Sequence, residues 1–505
     1  MKFFSLRCFF CFAFFAALPF TAVTGLAAAP DSVEQWGAFE AVFKGPAEGN
    51  PFVDVEFSAT FQQDDKAVSV LGFYDGDGVY RVRFMPETTG EWTYVTHSNR
   101  PELDGQTGTL IVTAPSAGNH GPVRVRDLYH FAYADGTPYW EIGTTCYAWI
   151  HQPEALQEET LKTLADAPFN KLRMCIFPKW MVYNRTEPEL YPYVGTPPAT
   201  WDFTRFNPKF FQHLEQRILD LQKLGIQADL ILFHPYDEGH WGFDRMGAAN
   251  DDRYLRYVLA RLGAYRNVWW SLANEWDFVK TKTVSDWDRF GQIIQANDPY
   301  HHLCSIHNQK ILFDHTQPWI THVSLQDDRA EDAVRYLNQY KKPVIFDECR
   351  YEGDISQEWG DITAERLTGM FWKTLISGAY CGDGETYVDP NDVLWWSKGG
   401  TLHGQSPARL AFFKKIIDAA PAAAAPLSQK NTWGVEGEYY LAYLWDRQHA
   451  YQGLTLPDNA SFKAEIIDTW AMTVTPVPGV FAGHIEIPLP IKPYQAILLT
   501  RISGP

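Results

Sequence analysis

Two glutamates end apolar runs in the middle of the chain. Glu275 closes the run VWWSLANE at 268–275, and Glu348 closes the run VIFDE at 344–348. A charge at the end of a buried strand is costly unless something compensates it. Cleavage of a glycosidic bond needs such a pair, because an acid protonates the leaving oxygen while a carboxylate acts on the other side of the anomeric carbon. The alternative is that each glutamate caps a helix or pairs with an arginine.

The surrounding sequence predicts a closed ring of parallel strands that would bring the two glutamates together. From 123 to about 420, apolar runs alternate with amphipathic stretches of helical period, which is typical of βα units. Eight such runs fit a TIM (β/α)₈ barrel, whose chemistry lies at the carboxyl ends of the strands. A doubly wound open sheet is the alternative, but it would be expected to have a glycine-rich turn after its first strand, and 143–146 is not one. The predicted strands are 139–145, 171–177, 227–234, 268–273, 302–307, 319–326, 343–348 and 380–387.

Strand-like segments flank the predicted barrel on both sides. From 31 to 118, half-buried alternation such as VDVEFSATF is interrupted by turn signals such as DGDG, which predicts an N-terminal β-sandwich. After the PAAAAP linker, the period returns to two over 426–505 and predicts a small C-terminal antiparallel β-domain. We also expect the crossover between the fifth and sixth barrel strands to be too short for a good helix.

The first 28 residues have the composition of a secretory signal peptide. Lys2 and Arg7 precede an apolar run at 8–20, and small residues follow. The run is too short to span a membrane securely, so we expect cleavage near residue 28 and a secreted or periplasmic protein without membrane association. A retained N-terminal anchor is the alternative. The five cysteines outside this segment are widely spaced, show neither metal-ligand spacing nor an evident disulfide framework, and are Cys146, Cys175, Cys304, Cys349 and Cys381.

Composition limits the partners of this chain. A formal charge of −18 argues against nucleic acid and strongly anionic glycans, because both bind to cationic surfaces. Aromatic residues make up 15% of the chain and suit stacking on sugar rings, although a single tryptophan is more often a core residue. We therefore predict a carbohydrate substrate, no nucleic-acid partner, no metal and no other cofactor. Asp237 and His240 follow His234 closely, but the three have no recognised metal-ligand spacing.

The order of these motifs resembles a large clan of retaining glycoside hydrolases with (β/α)₈ folds. In that clan, a glutamate after Asn on strand four is the acid/base, and a glutamate on strand seven is the nucleophile. The resemblance implies that Glu275 is the acid/base and Glu348 the nucleophile. It also implies that Asn274 contacts the hydroxyl next to the anomeric carbon, that Arg173 supports the nucleophile and that His234 lies in the sugar site.

A narrower resemblance comes from the run DGTPYWEIGTT at 135–145, which is similar to the apiosidase-like barrel families. Those proteins often have a β-sandwich in front of the barrel and a small β-domain behind it. The clan often places a tryptophan at the end of strand eight, where this chain has GDGETY at 382–387. Trp395 and Trp396 lie further along that loop and could take its place.

Further candidate residues follow the predicted strand ends. His307 and Gln326 end strands five and six and could form hydrogen bonds at the barrel mouth. Glu385 could bind a sugar hydroxyl or raise the pKa of the acid. Strand alternation predicts that Asp347 points away from the barrel interior, which favours Glu348 as the active carboxylate. The tryptophans that follow strand ends and could stack on sugar rings are Trp149, Trp180, Trp241 and Trp276.

Together these patterns predict a glycoside hydrolase that cleaves poly- or oligosaccharides by a retaining double displacement. Two other classes remain open. A polysaccharide lyase would need a base beside cations or a metal that neutralise a uronate, and the chain has no basic cluster. A non-catalytic carbohydrate-binding protein on a barrel scaffold would keep the tryptophans but would not need both strand-terminal glutamates.

Overall fold

The structure, a computed structural model, describes Met1 and residues 31–388 and 394–502. The predicted signal peptide at 1–28 therefore lies outside the described residues, apart from Met1. Along these residues an all-β segment comes first, a mixed α/β segment follows, and a second all-β segment comes last. None of the helices in the described ranges combines the length and the apolar character needed to cross a bilayer.

Eight parallel strands form the central sheet. Their order in the sheet is five, four, three, two, one, eight, seven and six. A parallel bridge between His307 and Ser324 joins the chain after strand five to strand six, so the sheet closes into a barrel and the open-sheet alternative is wrong. The barrel strands, numbered one to eight in chain order, are Gly143–Thr145, Lys171–Cys175, Gln227–Phe233, Val268–Ala273, Cys304–Ser305, Val323–Gln326, Val344–Glu348 and Tyr380–Asp383.

Strand one is shorter than the sequence predicts. The run 139–145 divides, because Pro138–Tyr139 pairs with Phe131–Tyr133 in a separate three-stranded sheet that also includes Val123–Val125. Only Gly143–Thr145 joins the barrel. Between the two pieces, the carboxylate of Glu141 is buried and lies 2.9 Å from Lys171 Nζ on strand two. The predicted strands five, six and eight are also longer than those observed.

Helices of eight or more residues follow most barrel strands, and their boundaries have ordinary capping chemistry. The Asn207 side chain accepts a hydrogen bond from Lys209 N, with Pro208 in the first helical position. Thr283 and Asp286 form a capping box. Residues 306–322, between strands five and six, contain no helix, as predicted. These helices in the described ranges are Glu154–Asp166, Pro208–Lys223, Ala248–Leu262, Val284–Asn297, Ala333–Tyr340, Ala364–Ile376 and Ser406–Asp418.

The N-terminal β segment is one seven-stranded sheet that folds over a shared core. Its fourth strand, Lys66–Tyr74, pairs first with the third strand and then with the fifth, so it runs through both halves of the sheet. Phe61 and Phe84, one from each half, stack with ring centroids 4.1 Å apart. The strands are Asp31–Glu34, Phe39–Lys44, Phe57–Gln63, Lys66–Tyr74, Val79–Phe84, Gly90–Ser98 and Thr107–Thr113.

Buried ion pairs join this N-terminal segment to the barrel helices. Arg83 Nη1 lies 2.8 Å from Glu215 Oε1, and Asp75 Oδ1 lies 2.7 Å from Arg261 Nη1. Arg261 also pairs with Glu215 at 2.6 Å, so the four side chains form one network. Removal of one partner from a buried ion pair costs about 3–5 kcal/mol, because it leaves an uncompensated charge. The N-terminal segment is therefore held on the barrel by buried ion pairs, and loss of any one partner would destabilise this interface.

The C-terminal segment is a six-stranded antiparallel sheet with a separate two-stranded ribbon. Trp433 packs edge-to-face on Trp140, with ring centroids 5.6 Å apart, and His130 Nε2 lies 2.8 Å from the Ala424 carbonyl oxygen. These contacts join the sheet to the amino-terminal end of the barrel. The sheet strands are Ala425–Pro426, Thr432–Val435, Tyr439–Tyr443, Phe462–Asp468, Thr473–Phe481 and Gln495–Arg501, and the ribbon is Tyr451–Thr455 with His484–Pro488.

Candidate active site

A cavity of about 400 Å³ lies at the carboxyl ends of the barrel strands. Both predicted catalytic glutamates line it, together with acidic, aromatic and amide side chains that come from the loops after strands two to eight. The position agrees with the general rule that chemistry in such barrels occurs at this face. Its walls are formed by Met181, Tyr236, Glu275, Phe278, Gln309, Gln326, Asp327, Asp328, Glu348, Arg350, Tyr351, Glu358, Trp359 and Trp396.

Glu275 follows strand four and lies in a left-handed backbone conformation with φ of 48°. A non-glycine residue adopts this conformation only when its surroundings fix it. Tyr236 is hydrogen-bonded to the carboxyl group, and the amide nitrogen of Gln326, in the orientation that satisfies its neighbours, donates to Oε1 at 3.0 Å. Burial, together with the charge of Glu348, raises the pKa of Glu275 to about 8. Glu275 therefore holds a proton at neutral pH.

Glu348, at the end of strand seven, has the opposite electrostatic environment. Tyr147 donates a hydrogen bond to its Oε1, and His307 Nε2 lies 3.5 Å from the same oxygen. Burial would raise the pKa of Glu348, but His307, Tyr147 and Arg173 together lower it to about 2. The two carboxyl groups of one cavity thus differ in protonation at neutral pH, Glu348 being ionised and Glu275 neutral.

Asp347 points into the barrel, so the prediction from strand alternation is wrong. The register of strands six and seven shifts between Ser324 and Gln326, so that Ile345 pairs with Ser324 and Glu348 with Gln326. This bulge places an extra residue in strand seven and lets neighbouring side chains face the same interior. Although burial opposes it, Lys171 and Arg173 hold the pKa of Asp347 well below its ordinary value.

A buried layer of charges lies beneath the cavity. Lys171 Nζ is 2.6 Å from Asp347 Oδ1, and Arg173 Nη1 is 3.1 Å from Asp229 Oδ2 and 3.2 Å from Asp347 Oδ2. Arg173 Nη2 also donates to Asn274 Oδ1 at 2.9 Å. The Asn274 Nδ2 atom is buried and has no hydrogen-bond partner among the described residues. Arg173 thus orients Asn274 and acts on Glu348 through its charge, although the two form no ion pair within the described part of the chain.

Lys179 is a buried lysine that interacts electrostatically with both Glu348 and Glu275, and it was not predicted. Its Nζ lies over three aromatic rings, at 4.1 Å from the ring centroids of Tyr147 and Tyr236 and 4.4 Å from that of Trp396. Burial lowers the pKa of Lys179, and the charges of Glu348 and Glu275 oppose that shift. The same two tyrosines donate to Glu348 and contact Glu275, so the cation and both carboxyl groups share one set of rings.

An aromatic wall closes one side of the cavity. Trp396 packs at 4.9 Å from Trp359 and nearly perpendicular to Tyr147, at 5.7 Å. Tyr351 packs edge-to-face on Trp359 at 6.0 Å. Trp359 and Trp396 both line the cavity, and Trp359 is only partly buried. Trp396 therefore lies in the region after strand eight where the clan tryptophan was expected, whereas Trp359 and Tyr351 come from the loop after strand seven.

The comparisons with known proteins agree with this geometry. Residues 126–423 match the family model described as the apiosidase-like catalytic domain, which covers more than half of the chain. The chain belongs to the apiosidase-like catalytic domain family. The family resemblance predicted from the sequence is thereby confirmed. In this apiosidase-like chain, residues 32–99 and 428–500 match two domains of unknown function, DUF5060 and DUF5605. No curated protein matches the chain.

Solved structures place the apiosidase-like chain among proteins with the glycoside hydrolase fold. A crystal structure from Bacteroides vulgatus, of a protein proposed to be a glycoside hydrolase, has a TM-score of 0.90 and 42% identity, over 94% of this chain and 100% of the other. A family 5 glycoside hydrolase from the same species has a TM-score of 0.58 and 16% identity, over 76% of this chain and 94% of its own. The second likeness shows the fold alone.

Three of the predicted sugar-stacking tryptophans of this apiosidase-like barrel are core residues. Trp149, Trp241 and Trp395 are each at most 2% exposed. Their indole N–H groups donate to the Gln157 carbonyl, the Glu187 carboxylate and the Thr144 hydroxyl. The prediction fails because the loops after these strand ends turn back onto the barrel, so a tryptophan after a strand is not necessarily at its mouth.

Seven other predicted contact residues also lie outside the residues that line the cavity, namely Arg173, Asn274 and His307, described above, and Trp180, Trp276, His234 and Glu385. Trp180 stacks on His240 with ring centroids 3.7 Å apart, and Trp276 packs edge-to-face on Phe313 at 5.2 Å. His234 is buried, with Nε2 3.1 Å from the Phe177 carbonyl oxygen and Nδ1 accepting from Tyr236 N, so it supports the loop that carries Tyr236. The carboxylate of Glu385 accepts hydrogen bonds from the backbone N–H groups of His403 and Gly404.

Several site residues were missed by the sequence analysis. Tyr147, Tyr236 and Tyr351 each lie two or three residues beyond a barrel strand, and the rule that singled out the tryptophans would have found them. Lys179 and Trp359 lie deeper in the loops and carry no such signal. The described residues contain no group of three or more His, Cys, Asp or Glu side chains arranged to hold a metal ion.

Proposed function

We propose that this protein is a retaining glycoside hydrolase in which Glu348 is the nucleophile and Glu275 the acid/base. The observation that carries the proposal is the opposed protonation of two carboxyl groups in one cavity, with pKa values of about 2 for Glu348 and about 8 for Glu275. Pairs of carboxyl groups whose environments separate their pKa values divide acid and base roles between them.

In the first step, the ionised Glu348 attacks the anomeric carbon while the protonated Glu275 gives its proton to the leaving oxygen. The bond from the anomeric carbon to that oxygen breaks, and a glycosyl ester of Glu348 forms. Tyr147 and His307, which contact Oε1 of Glu348, hold the attacking group ionised and fix its direction. Tyr236 and Gln326 contact the carboxyl group of Glu275 and fix its direction.

In the second step, Glu275 acts as a base and removes a proton from water, which attacks the anomeric carbon and releases Glu348. The change of role follows from charge. The negative charge of Glu348 is one of the causes of the raised pKa of Glu275, and ester formation removes it. Ester formation therefore lowers the pKa of Glu275, so that Glu275 stays ionised after giving up its proton and can accept one from water.

The substrate is proposed to be a poly- or oligosaccharide. Trp359 and Trp396 line the cavity and would give a sugar an aromatic surface, and Asn274 Nδ2, which has no hydrogen-bond partner among the described residues, would donate to the hydroxyl next to the anomeric carbon. The cavity also carries Asp327, Asp328 and Glu358, which disfavour a densely anionic substrate. We also propose that the protein is secreted, since a secreted enzyme would meet such a glycan. The β-sandwich fold of the N-terminal segment remains part of the same proposal.

Two alternatives are less well supported. A lyase acting on a uronate would need free cations at the cavity, but Arg350 is paired with Asp328 at 2.6 Å, and Lys179 is covered by three rings. A purely binding protein has no use for one ionised and one protonated carboxyl group in the same cavity. Neither alternative explains the opposed pKa values.

The test is release of reducing sugar from a panel of plant and algal glycans by the wild type, Glu275→Gln and Glu348→Gln. We expect both variants to lose at least about 10²-fold in rate, because general acid catalysis alone contributes about 10²–10⁴-fold. The control is Glu331→Gln, the same change at an exposed ion pair with Lys373 outside the cavity. Proton NMR of the first product anomer tests retention. Activity that survives both cavity substitutions would reject the assignment, and an inverted product would reject the double displacement.

A further inference from the structure

Two buried cysteines contact each other directly behind Glu348. Cys349 follows Glu348 at the end of barrel strand seven, and Cys381 lies in barrel strand eight. Their Sγ atoms are 2.8 Å apart, closer than the separation of about 3.5–4 Å that suits non-bonded heavy atoms. Each residue is 1% exposed. No other two cysteines of the described residues have sulfur atoms in contact.

The backbone at this point brings strands seven and eight unusually close. Phe346 pairs with Cys381 in the parallel register, and the strand-seven bulge follows directly. At Gly382, a Cβ atom would lie 2.6 Å from the Asp347 carbonyl oxygen, so only glycine fits the gap. The sulfur atoms of a disulfide are about 2.05 Å apart, whereas the two Sγ atoms here are 2.8 Å apart. Only a small movement of the two thiols therefore separates the observed contact from a cross-link.

We propose that Cys349 and Cys381 form a disulfide when the protein meets an oxidising disulfide compound. Each thiol loses its proton and the two together lose two electrons as the Sγ–Sγ bond forms. The oxidant, a small disulfide such as oxidised glutathione, accepts two electrons and two protons and leaves as two thiols. Exchange passes through a mixed disulfide. A shared metal ion is a weaker explanation of the pair, because the described residues near it include no set of three metal-ligating side chains.

The cross-link would tie the backbone next to Glu348 to the neighbouring strand. It would close the segment 349–381, which includes the helix Ala364–Ile376. A disulfide restricts the unfolded chain and so stabilises the folded state. If Glu348 is the nucleophile, as proposed above, the cross-link also fixes the strand end that carries it. The existence of the bond does not depend on that role.

The test uses full-length protein exported to an oxidising compartment, so that the thiols meet oxidant before they are buried. The protein is denatured without reductant, alkylated with iodoacetamide and weighed intact, beside a reduced sample. We expect two fewer alkyl groups than in the reduced sample and a proteolytic fragment that joins Cys349 to Cys381. Alkylation of both thiols, or their capture by other cysteines or by glutathione, would overturn the proposal.

Two serine variants give the matched controls. Cys381→Ser should abolish the linked fragment, whereas Cys304→Ser, at a buried thiol of strand five, should leave it in place. The wild-type peptide map decides the question even if Cys381→Ser folds poorly. Because the readout is mass, it is independent of activity: a linked but inactive protein supports the disulfide while counting against the hydrolase, and an active, unlinked protein does the reverse.

Discussion

Tyr147 donates its phenolic hydrogen to Oε1 of Glu348, while the face of its ring covers Lys179. One side chain thus contacts both the proposed nucleophile and the buried Lys179. Strand one ends at Thr145, and only strand eight separates it from strand seven, so Tyr147 reaches Glu348 past one strand. The position of the Glu348 carboxylate therefore depends on a hydrogen bond from a residue 201 positions away in the sequence.

Replacement of Tyr147 by Phe should weaken the nucleophile without removing it. Loss of a hydrogen bond to a charged group costs about 1.5–3 kcal/mol, so we expect kcat/KM to fall by about 10–100-fold. The pKa of Glu348 should rise, which moves the acid limb of the pH profile to higher pH. The control is Tyr380→Phe, because the Tyr380 hydroxyl donates to the Tyr129 carbonyl oxygen and not to Glu348. An unchanged acid limb in Tyr147→Phe would show that this bond does not set the ionisation of Glu348.

The pH dependence of kcat/KM should follow Glu275 on its alkaline side. Activity requires Glu275 protonated, so it should fall about tenfold per pH unit above its pKa of about 8. The ionised form of Glu348 is present at all pH values above about 2, so the profile should stay flat from weakly acidic to neutral pH. In Glu275→Ala, assayed with an activated aryl glycoside, the alkaline limb should disappear. Its persistence would assign the limb to another group.

Lys179→Met should move that alkaline limb to higher pH. The charge of Lys179 lowers the pKa of Glu275, so its removal lets burial and Glu348 raise that pKa further. Lys179→Arg keeps the charge and should leave the limb near its wild-type position. The measurement is kcat/KM against pH for the three proteins with one substrate. If the alkaline limb lies at the same pH in wild type and Lys179→Met, the three aromatic rings around Lys179 screen its charge from Glu275.

Two tryptophan substitutions should separate binding from folding. Trp359→Ala removes a partly exposed ring of the cavity wall, so we expect KM to rise roughly tenfold with little loss of stability. Trp395→Ala removes a buried ring and should cost about 3–5 kcal/mol of unfolding free energy. Urea denaturation and steady-state kinetics measure the two effects. A destabilised Trp359→Ala with normal KM would contradict the stacking role.

The sequence was most informative where chain order alone determines position. Glu275 and Glu348 end apolar strands, and a closed parallel barrel must bring such ends to one face. The path of a loop is set by tertiary contacts instead, which is why Trp149 and Trp241 were misplaced and Lys179 was missed. Asp347 was misjudged because alternation assumes a regular strand, and a one-residue bulge reverses its result.

The ion pairs between the N-terminal segment and the barrel bear on how such proteins can be recombined. Arg83 and Asp75 come from one segment, while Glu215 and Arg261 come from the other, and all four charges are buried where the segments meet. A barrel transplanted without its own leading sheet would keep the pair of Arg261 with Glu215 but lose Arg83 and Asp75, and the remaining pair would be exposed to water. Exchange of the N-terminal segment or the barrel between related proteins should therefore succeed only when all four side chains of the network are kept.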